Sequence, residues 1–381
     1  MKKEKVLHVI TVSFVINHFF GKQFLYLKKK TGNEYHLACS YSKDFIDLSN
    51  QLNFIPFEVE ITRRISPLKD IAAIIKLYIY IKKNKITKVI GHTPKGALVA
   101  MLASYFARLS DRIYFRHGLI YETRFGYKKI ILKNIERLTG FLATQVVCVS
   151  NSVKILSEKD KLNSPQKNIV LGLGTCNGID TLGKYNPNFI DINEKKMLES
   201  KLDIGGHKIV GYVGRLVKDK GIDELILAWE KIIEKYPKVK LLLVGPIENR
   251  DEISSYSKNF IFTNQSVIFT DYVSDASPYF SLIDIFILPT FREGFPTVAL
   301  EASSMEIPVL ITKATGCTEA IVDGWSGKFI THSIDDIAEK VLFYLNNEAI
   351  AKQHGKQGRI FVSDNFEEKF IWDSLVRQLK I

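Results

Sequence analysis

Residues 171–187, LGLGTCNGIDTLGKYNP, hold Gly172, Gly174, Gly178, Gly183 and Pro187 and break the periodic patterning of the chain. A stretch of this composition reads as a hinge or linker. On each side of it, short apolar runs alternate with helical patterns. Before the hinge, strands are expected at Val6–Thr11, Tyr35–Ser40, Ile55–Val59, Lys88–Gly91, Arg112–Arg116, Gln145–Ser150 and Asn168–Leu171. Helices are expected there at Gly21–Lys30, Pro67–Asn84, Pro94–Leu109 and Gly126–Leu142. After it, strands are expected at Lys208–Gly214, Lys240–Gly245, Val267–Thr270, Ile285–Pro289 and Pro308–Ile311. The corresponding helices are Asp223–Tyr236, Ala276–Leu282, Thr297–Ser304, Asp335–Asn346 and Phe366–Leu379. Alternating strands and helices predict parallel, doubly wound sheets. The expected fold class is α/β, with two Rossmann-like domains and a ligand site in the inter-domain cleft, at the carboxyl ends of the strands. The domains divide as 1–174 and 175–365, with a terminal helix, 366–381, packing back on the first.

Composition narrows the classes. The 381 residues are 46% hydrophobic and 25% charged, which excludes a disordered or low-complexity chain. The net charge of +12 is uneven: residues 1–170 hold 29 Lys+Arg against 12 Asp+Glu, and residues 171–381 hold 24 against 29. Only the first half is therefore expected to meet an anionic partner. Its cations cluster in Lys28-Lys29-Lys30, Arg63-Arg64, Lys82–Lys88 and Lys128–Lys133. The four scattered cysteines show no zinc spacing and suit a reducing compartment. Lys2, Lys3 and Lys5 before Val6–Ile16 imitate a signal peptide, but His8 interrupts the run and no small-residue cleavage site follows. Other apolar runs fall short of the roughly 20 residues a membrane-spanning helix needs.

Two segments of the second half carry chemistry. GYVGRLVKDKG (Gly211–Gly221) follows a strand and opens a helix, without dinucleotide or P-loop spacing. It places Arg215 and Lys220 at the sheet edge, where two cations suit a diphosphate; solvated loop cations are an equal reading of this segment alone. In EGFPTVALE (Glu293–Glu301), Gly294 permits close backbone approach and Pro296 suits the first helical turn. An acidic group at such an edge can accept hydrogen bonds from ribose hydroxyls. Glu293 can equally serve the helix dipole, whereas Glu301 lies in an apolar run where an unpaired carboxylate is costly.

GYVGRLVKDKG followed by EGFPTVALEA closely resembles the retaining glycosyltransferases of family 4, which have the two-domain GT-B fold. The E-x7-E spacing is met by Glu293 and Glu301. The likeness extends through ISPLKD (Ile65–Asp70), HTPKGAL (His92–Leu98), RHGL (Arg116–Leu119), VSNSV (Val149–Val153) and NGID (Asn177–Asp180). The resemblance points to a subgroup that builds bacterial capsular and O-antigen polysaccharides or other lipid-linked glycans. It implies that Arg215 and Lys220 hold the donor diphosphate, Glu301 the ribose, and Glu293 the donor sugar, with the amides of Gly294, Phe295 and Pro296 beside it. His117 would face the donor sugar, and Gly245–Glu248 with Tyr272 and Val273 would hold the base. Val12–Phe20 replaces the family's glycine-rich first loop, and Asp271 stands where glycine is more common. His18, His92 and Lys95 are candidates for the acceptor side.

The expected function is a metal-independent retaining transferase that moves a sugar, an N-acetylhexosamine from a UDP donor, onto a polyprenyl-diphosphate-linked saccharide. No DxD-type metal element stands in a suitable loop. A UDP-sugar 2-epimerase of the same fold and a non-catalytic GT-B partner subunit are the alternatives. The basic half is expected to attract anionic lipid, giving a cytoplasmic protein peripheral to the inner face of the cell membrane. The helix containing Tyr127–Ile135 is expected to bury its apolar face on the sheet and merely solvate its lysines. No nucleic-acid partner is expected, for want of a helix-turn-helix, zinc-finger or RNP signature.

Overall fold

The computed structural model describes residues 3–62, 66–248 and 251–381. Lys2, the Arg63-Arg64 pair and Ile65, which begins the ISPLKD motif, lie outside the described residues. Two compact units result: Met1–Gly178 with Lys369–Ile381, and Ile179–Glu368.

The first unit holds β1 (Lys5–Val9), β2 (Glu34–Cys39), β3 (Ile55–Glu58), β4 (Lys88–His92), β5 (Asp111–Arg116), β6 (Gln145–Cys148) and β7 (Asn168–Ile169). These pair in parallel in the order β3-β2-β1-β4-β5-β6-β7. Sequence order reverses between β1 and β4, the place where doubly wound sheets commonly take ligands at the strands' carboxyl ends. The second unit holds β8 (Lys208–Val213), β9 (Val239–Val244), β10 (Val267–Phe269), β11 (Ile285–Leu288), β12 (Val309–Thr312) and β13 (Gly327–Ile330). Their parallel order is β10-β9-β8-β11-β12-β13, with the reversal between β8 and β11. Apolar runs of four to six residues become strands here because both faces are buried, so alternation with polar residues is not required. Each sheet sits in its own core, around Leu7, Val89 and Val146 in one unit and Val210, Leu242 and Phe286 in the other.

Several expectations are corrected. Gly327–Ile330 forms a further edge strand, and the helices Phe45–Leu52, Asn151–Lys159, Ile192–Lys201 and Ser255–Thr263 fill stretches left unassigned. Phe366–Leu379 is not one helix: Glu348–Phe366 ends there, and Glu368–Leu379 follows after a break at Glu367. The break is held from within the second unit. Thr181 donates through its backbone and hydroxyl to Glu367 Oε2, at 3.2 and 2.5 Å, and Ile179 N donates to Phe366 O at 2.8 Å. The helix Gly126–Leu142 departs further from expectation. It buries Glu136, Thr139, Gly140 and Leu142, while Ile130 and Ile131 remain exposed.

The terminal helix joins the first unit through buried Ile371, Trp372, Leu375 and Leu379. Trp372 Nε1 donates to Asn177 Oδ1 at 3.0 Å. Lys88 at the start of β4 is only 4% exposed, and its ammonium donates to the carbonyls of Leu379 and Lys380 at 2.5 and 3.0 Å. Burial pulls its pKa down, against the opposing pull of Asp111 and Glu4. Ending the chain at Gln378 removes both acceptors along with the buried side chains of Leu379 and Ile381, and should cost at least about 3 kcal/mol, the order expected when a buried charge loses its partner. Adding Lys88→Met to the truncated chain should recover part of that loss in denaturant unfolding. Equal stability of the two truncated chains would contradict the account.

Candidate active site

The reversal between β8 and β11 gathers the second unit's charged residues. After β8 the chain makes a single turn, Lys218–Lys220, and Gly221 caps the helix Ile222–Lys235 at φ +71°. A Cβ on Gly221 would lie 2.0 Å from the carbonyl oxygen of Pro289. Only glycine lets this turn and the end of β11 approach so closely. The approach sets Lys220 against the loop after β11, where its ammonium pairs with Glu293 Oε1, both side chains only 16% exposed. Arg215 Nη1 lies 2.8 Å from Glu248 Oε2 in a more exposed pair. Arg292 Nη2 lies 2.7 Å from Asp219 Oδ2, a third pair that sequence reading passed over. Behind the loop, Glu293 N donates to Thr315 O at 2.9 Å. Gly316 backs the same turn: a Cβ there would meet the carbonyl oxygens of Glu293 and Gly294 at 2.5 and 2.6 Å.

Pro296 is corrected on two counts. It is the cap of the helix Thr297–Ser304 rather than part of its first turn. Lacking an N–H, it also adds no donor, which leaves Gly294 and Phe295 as the amides of this segment able to face an anion. Glu301 lies one turn into that helix, half-buried. Burial pushes its carboxyl up to about 7, against a hydrogen bond from the Tyr185 hydroxyl and the charge of Lys184. Sequence reading also missed Tyr185. Its carbonyl is fixed by Ser304 Oγ at 2.6 Å and by Arg359 Nη1 at 3.3 Å, so the hinge segment is stapled to the helix bearing Glu301. The KYNP ending of the hinge was the available signal, an aromatic hydroxyl among loop residues.

The expected base-holding loops meet directly. Gly245 N donates to Asp271 O at 3.1 Å. Asp271 adopts φ +57°, a left-handed conformation glycine takes without strain, so the glycine that is commoner here would have the same backbone. Tyr272 stands out at 72% exposed, while Val273 packs partly against the core.

In the first unit, the reversal between β1 and β4 gathers histidines. His92 ends β4, His117 follows β5, and both join His8 of β1 in one hydrogen-bonded chain. Phe19 stacks on His117 at 4.1 Å between ring centroids. His18 is exposed and near enough to disfavour protonation of His117, a smaller effect than burial. Lys95 pairs with Asp70 at 2.6 Å, tying together the starts of the helices Pro94–Phe106 and Pro67–Asn84. Among the described residues, no three His, Cys, Asp or Glu side chains converge as ligands for a metal ion.

Residues 194–361 match the family of glycosyl transferases group 1, and residues 5–150 match the glycosyl transferase 4-like family. The capsular polysaccharide biosynthesis glycosyltransferase CapM of Staphylococcus aureus is 33% identical over 98% of this chain and 96% of its own length. The UDP-Gal:alpha-D-GlcNAc-diphosphoundecaprenol alpha-1,3-galactosyltransferase of Escherichia coli is 27% identical over 74% of this chain and 72% of its own. The crystal structure of HepE from Anabaena in complex with UDP and glucose superposes with a TM-score of 0.82 at 18% identity, covering 99% of both chains.

The raised pKa of Glu301 carries a stability consequence. Its carboxylate is disfavoured in the folded chain, so the penalty is absent below the ordinary value of 4.5, grows between 4.5 and about 7, and is complete above. Glu301→Gln should therefore stabilise the chain by about 2–3 kcal/mol at pH 8 and distinctly less at pH 5. Denaturant melts at the two pH values check this; an equal gain at both would rule out the ionisation as the cause.

Proposed function

The chain belongs to the family 4 glycosyltransferases of GT-B fold, and on that premise we propose that it is a retaining transferase for bacterial surface polysaccharide. It transfers a sugar, an N-acetylhexosamine, from a UDP donor to a polyprenyl-diphosphate-linked saccharide. The observation that carries this reading is the set of paired charges at the β8/β11 reversal. Arg215, Lys220 and Arg292 stand there with Glu248, Glu293 and Asp219, beside a half-buried Glu301. The curated relatives above support the polysaccharide and lipid-linked acceptor classes by their names, and the HepE complex supports UDP.

The chemistry follows from charge. Cleaving a sugar–diphosphate bond builds negative charge on the departing phosphate and positive charge on the anomeric carbon. Lys220, Arg215 and the amides of Gly294 and Phe295 are disposed to stabilise the first, worth most where water is excluded. A diphosphate entering this site exchanges places with carboxylates. Arg215 gives up Glu248 at little cost, because exposed ion pairs contribute about 0–1 kcal/mol. Lys220 released from Glu293 leaves that carboxylate free to meet the donor sugar. Glu301 accepts the ribose hydroxyls, and His117 contacts the donor sugar. These cations do the work that a divalent ion would otherwise do, so catalysis needs no metal. Retention proceeds on one face of the sugar, with the departing phosphate taking the acceptor's proton; a covalent adduct on Glu293 would contradict this.

A panel of UDP-, GDP- and TDP-sugars with polyprenyl-diphosphate saccharides should give nucleotide release only with a UDP-sugar and an acceptor, undiminished in EDTA. Lys220→Ala should lower kcat by about 10²–10³, the usual scale for removing one charge-stabilising donor, and Glu301→Ala should lose donor use. Turnover without acceptor would favour the epimerase, and equal rates for wild type and Glu301→Ala would refute the site.

The first unit supports the membrane part of the proposal. Its residues include 32 Lys+Arg against 13 Asp+Glu, a net +19. The helix Pro67–Asn84 buries Ala73, Leu77 and Ile81 but exposes Leu68, Ile71, Ile75 and Ile79 as one stripe. Ile71, Ile74, Ile75 and Tyr78 line an apolar hollow with Phe106. Among the described residues no helix is long and apolar enough to cross a membrane. An apolar stripe amid cations suits the surface of an anionic bilayer. Ile71→Ser with Ile75→Ser should weaken binding to phosphatidylglycerol vesicles by at least about tenfold, from the apolar area withdrawn. Unchanged vesicle binding, or tight salt-sensitive binding to DNA instead, would remove the membrane assignment.

A further inference from the structure

Three strand ends of the first unit each contribute one ring to a column of histidines. His8 Nδ1 lies 3.0 Å from His92 Nε2, and His92 Nδ1 lies 3.0 Å from His117 Nε2. Aromatic rings enclose the column. Phe20 and Phe24 meet His8 edge-on, Phe115 stacks on His92, and Phe19 stacks on His117. His8 and His92 are only 2% and 3% exposed. Burial holds the rings neutral, drawing His8 and His117 down to about 3 and His92 well below its usual value.

A neutral imidazole has one N–H, so it donates at one nitrogen and accepts at the other. In this column the choice at one ring therefore dictates the other two. Only two arrangements make both hydrogen bonds: all three rings protonated at Nδ1, or all three at Nε2. They differ at the ends. The far end is His8 Nε2, which is buried with no hydrogen-bond partner among the described residues. An orphaned buried N–H is the costlier defect, and orphaned acceptors are the better tolerated. The column therefore favours a bare nitrogen at His8 Nε2 and protons on every Nδ1.

We infer that His8 and His92 are positioning residues that lock His117 as its Nδ1–H tautomer, making that nitrogen a fixed hydrogen-bond donor. The inference rests on the proposal that His117 contacts the donor sugar, and it specifies how. A ring held this way donates to a sugar hydroxyl oxygen and has no free lone pair at Nδ1 with which to take a proton. Nor can it pass a proton inward, because the column ends at a nitrogen with no onward partner among the described residues. His117 is thus an orienting donor rather than a general base, which leaves the acceptor's proton to the departing phosphate.

The test has a spectroscopic and a kinetic arm, both on the full chain. Long-range proton–nitrogen correlation of histidine-labelled protein should show pyrrole-type Nδ1 and pyridine-type Nε2 at His117, unchanged from pH 5.5 to 8. A protonated Nε2 at His117 overturns the inference, and this reading needs no variant to fold. In the kinetic arm, His92→Phe keeps the aromatic packing but can neither donate nor accept, whereas the amide of His92→Gln can do both. His92→Phe should lower kcat by about 10–100-fold, the scale seen when a partner that orients a metal-bound histidine is removed, with donor KM near wild type. His92→Gln should restore most of the rate at equal or lower thermal stability. Full activity of His92→Phe alongside an inactive His117→Ala overturns the column while sparing the role of His117. Full activity of His117→Ala instead overturns that role itself.

Discussion

Every strand in both sheets runs parallel, so each sheet delivers all of its carboxyl ends to one edge. Val6–Val9, Val89–His92, Leu241–Val244 and Ile285–Leu288 are buried at successive positions, which means both sheet faces are covered. A polar side chain in the middle of such a strand would lose water and gain no partner. Polar and charged side chains therefore collect at and just past the strand ends, which doubly wound sheets offer to ligands where the strand order reverses. The candidate residues Lys220, Glu293 and His117 follow strands, and His92 is the last residue of β4.

Groups that break the rule come with partners. Arg116, wholly buried at the end of β5, donates to Glu136 at 3.2 Å, and Glu136 also accepts from Tyr114 at 2.8 Å. Burial raises the Glu136 carboxyl's pKa despite the guanidinium beside it. Such a pair contributes little net stability but fixes geometry, here between β5 and the helix Gly126–Leu142. It anchors the residue immediately before His117. The histidine column serves the same end on the neighbouring strands, with neutral groups in place of ions.

Much of this was legible in the sequence. The hinge at 171–187 and the alternation on either side predicted two parallel sheets because glycine content and apolar run length are local properties. The helices Pro67–Asn84, Gly126–Leu142 and Thr297–Ser304 fall at their expected residues. Motif spacing singled out Arg215, Lys220, Glu293 and Glu301, and the structure pairs Lys220 with Glu293. The direction in which Gly126–Leu142 turns its isoleucines was not. That helix is amphipathic by composition, but which face is buried depends on Glu136 meeting Arg116, residues that no short-range period relates.

The sequence by itself determined the two-sheet architecture, the family and the residue types at each strand end, since these follow from patterning along the chain. Only the tertiary structure decided who partners whom. It paired Lys220 with Glu293 across 73 residues and Lys95 with Asp70, placed Tyr185 against Glu301, and lined up His8 of β1, His92 of β4 and His117 just after β5. Those choices depend on strand order and on close approaches such as Gly221 against Pro289. Hydrogen bonds and ion pairs act over a few ångströms of space, and distance along the chain does not report it.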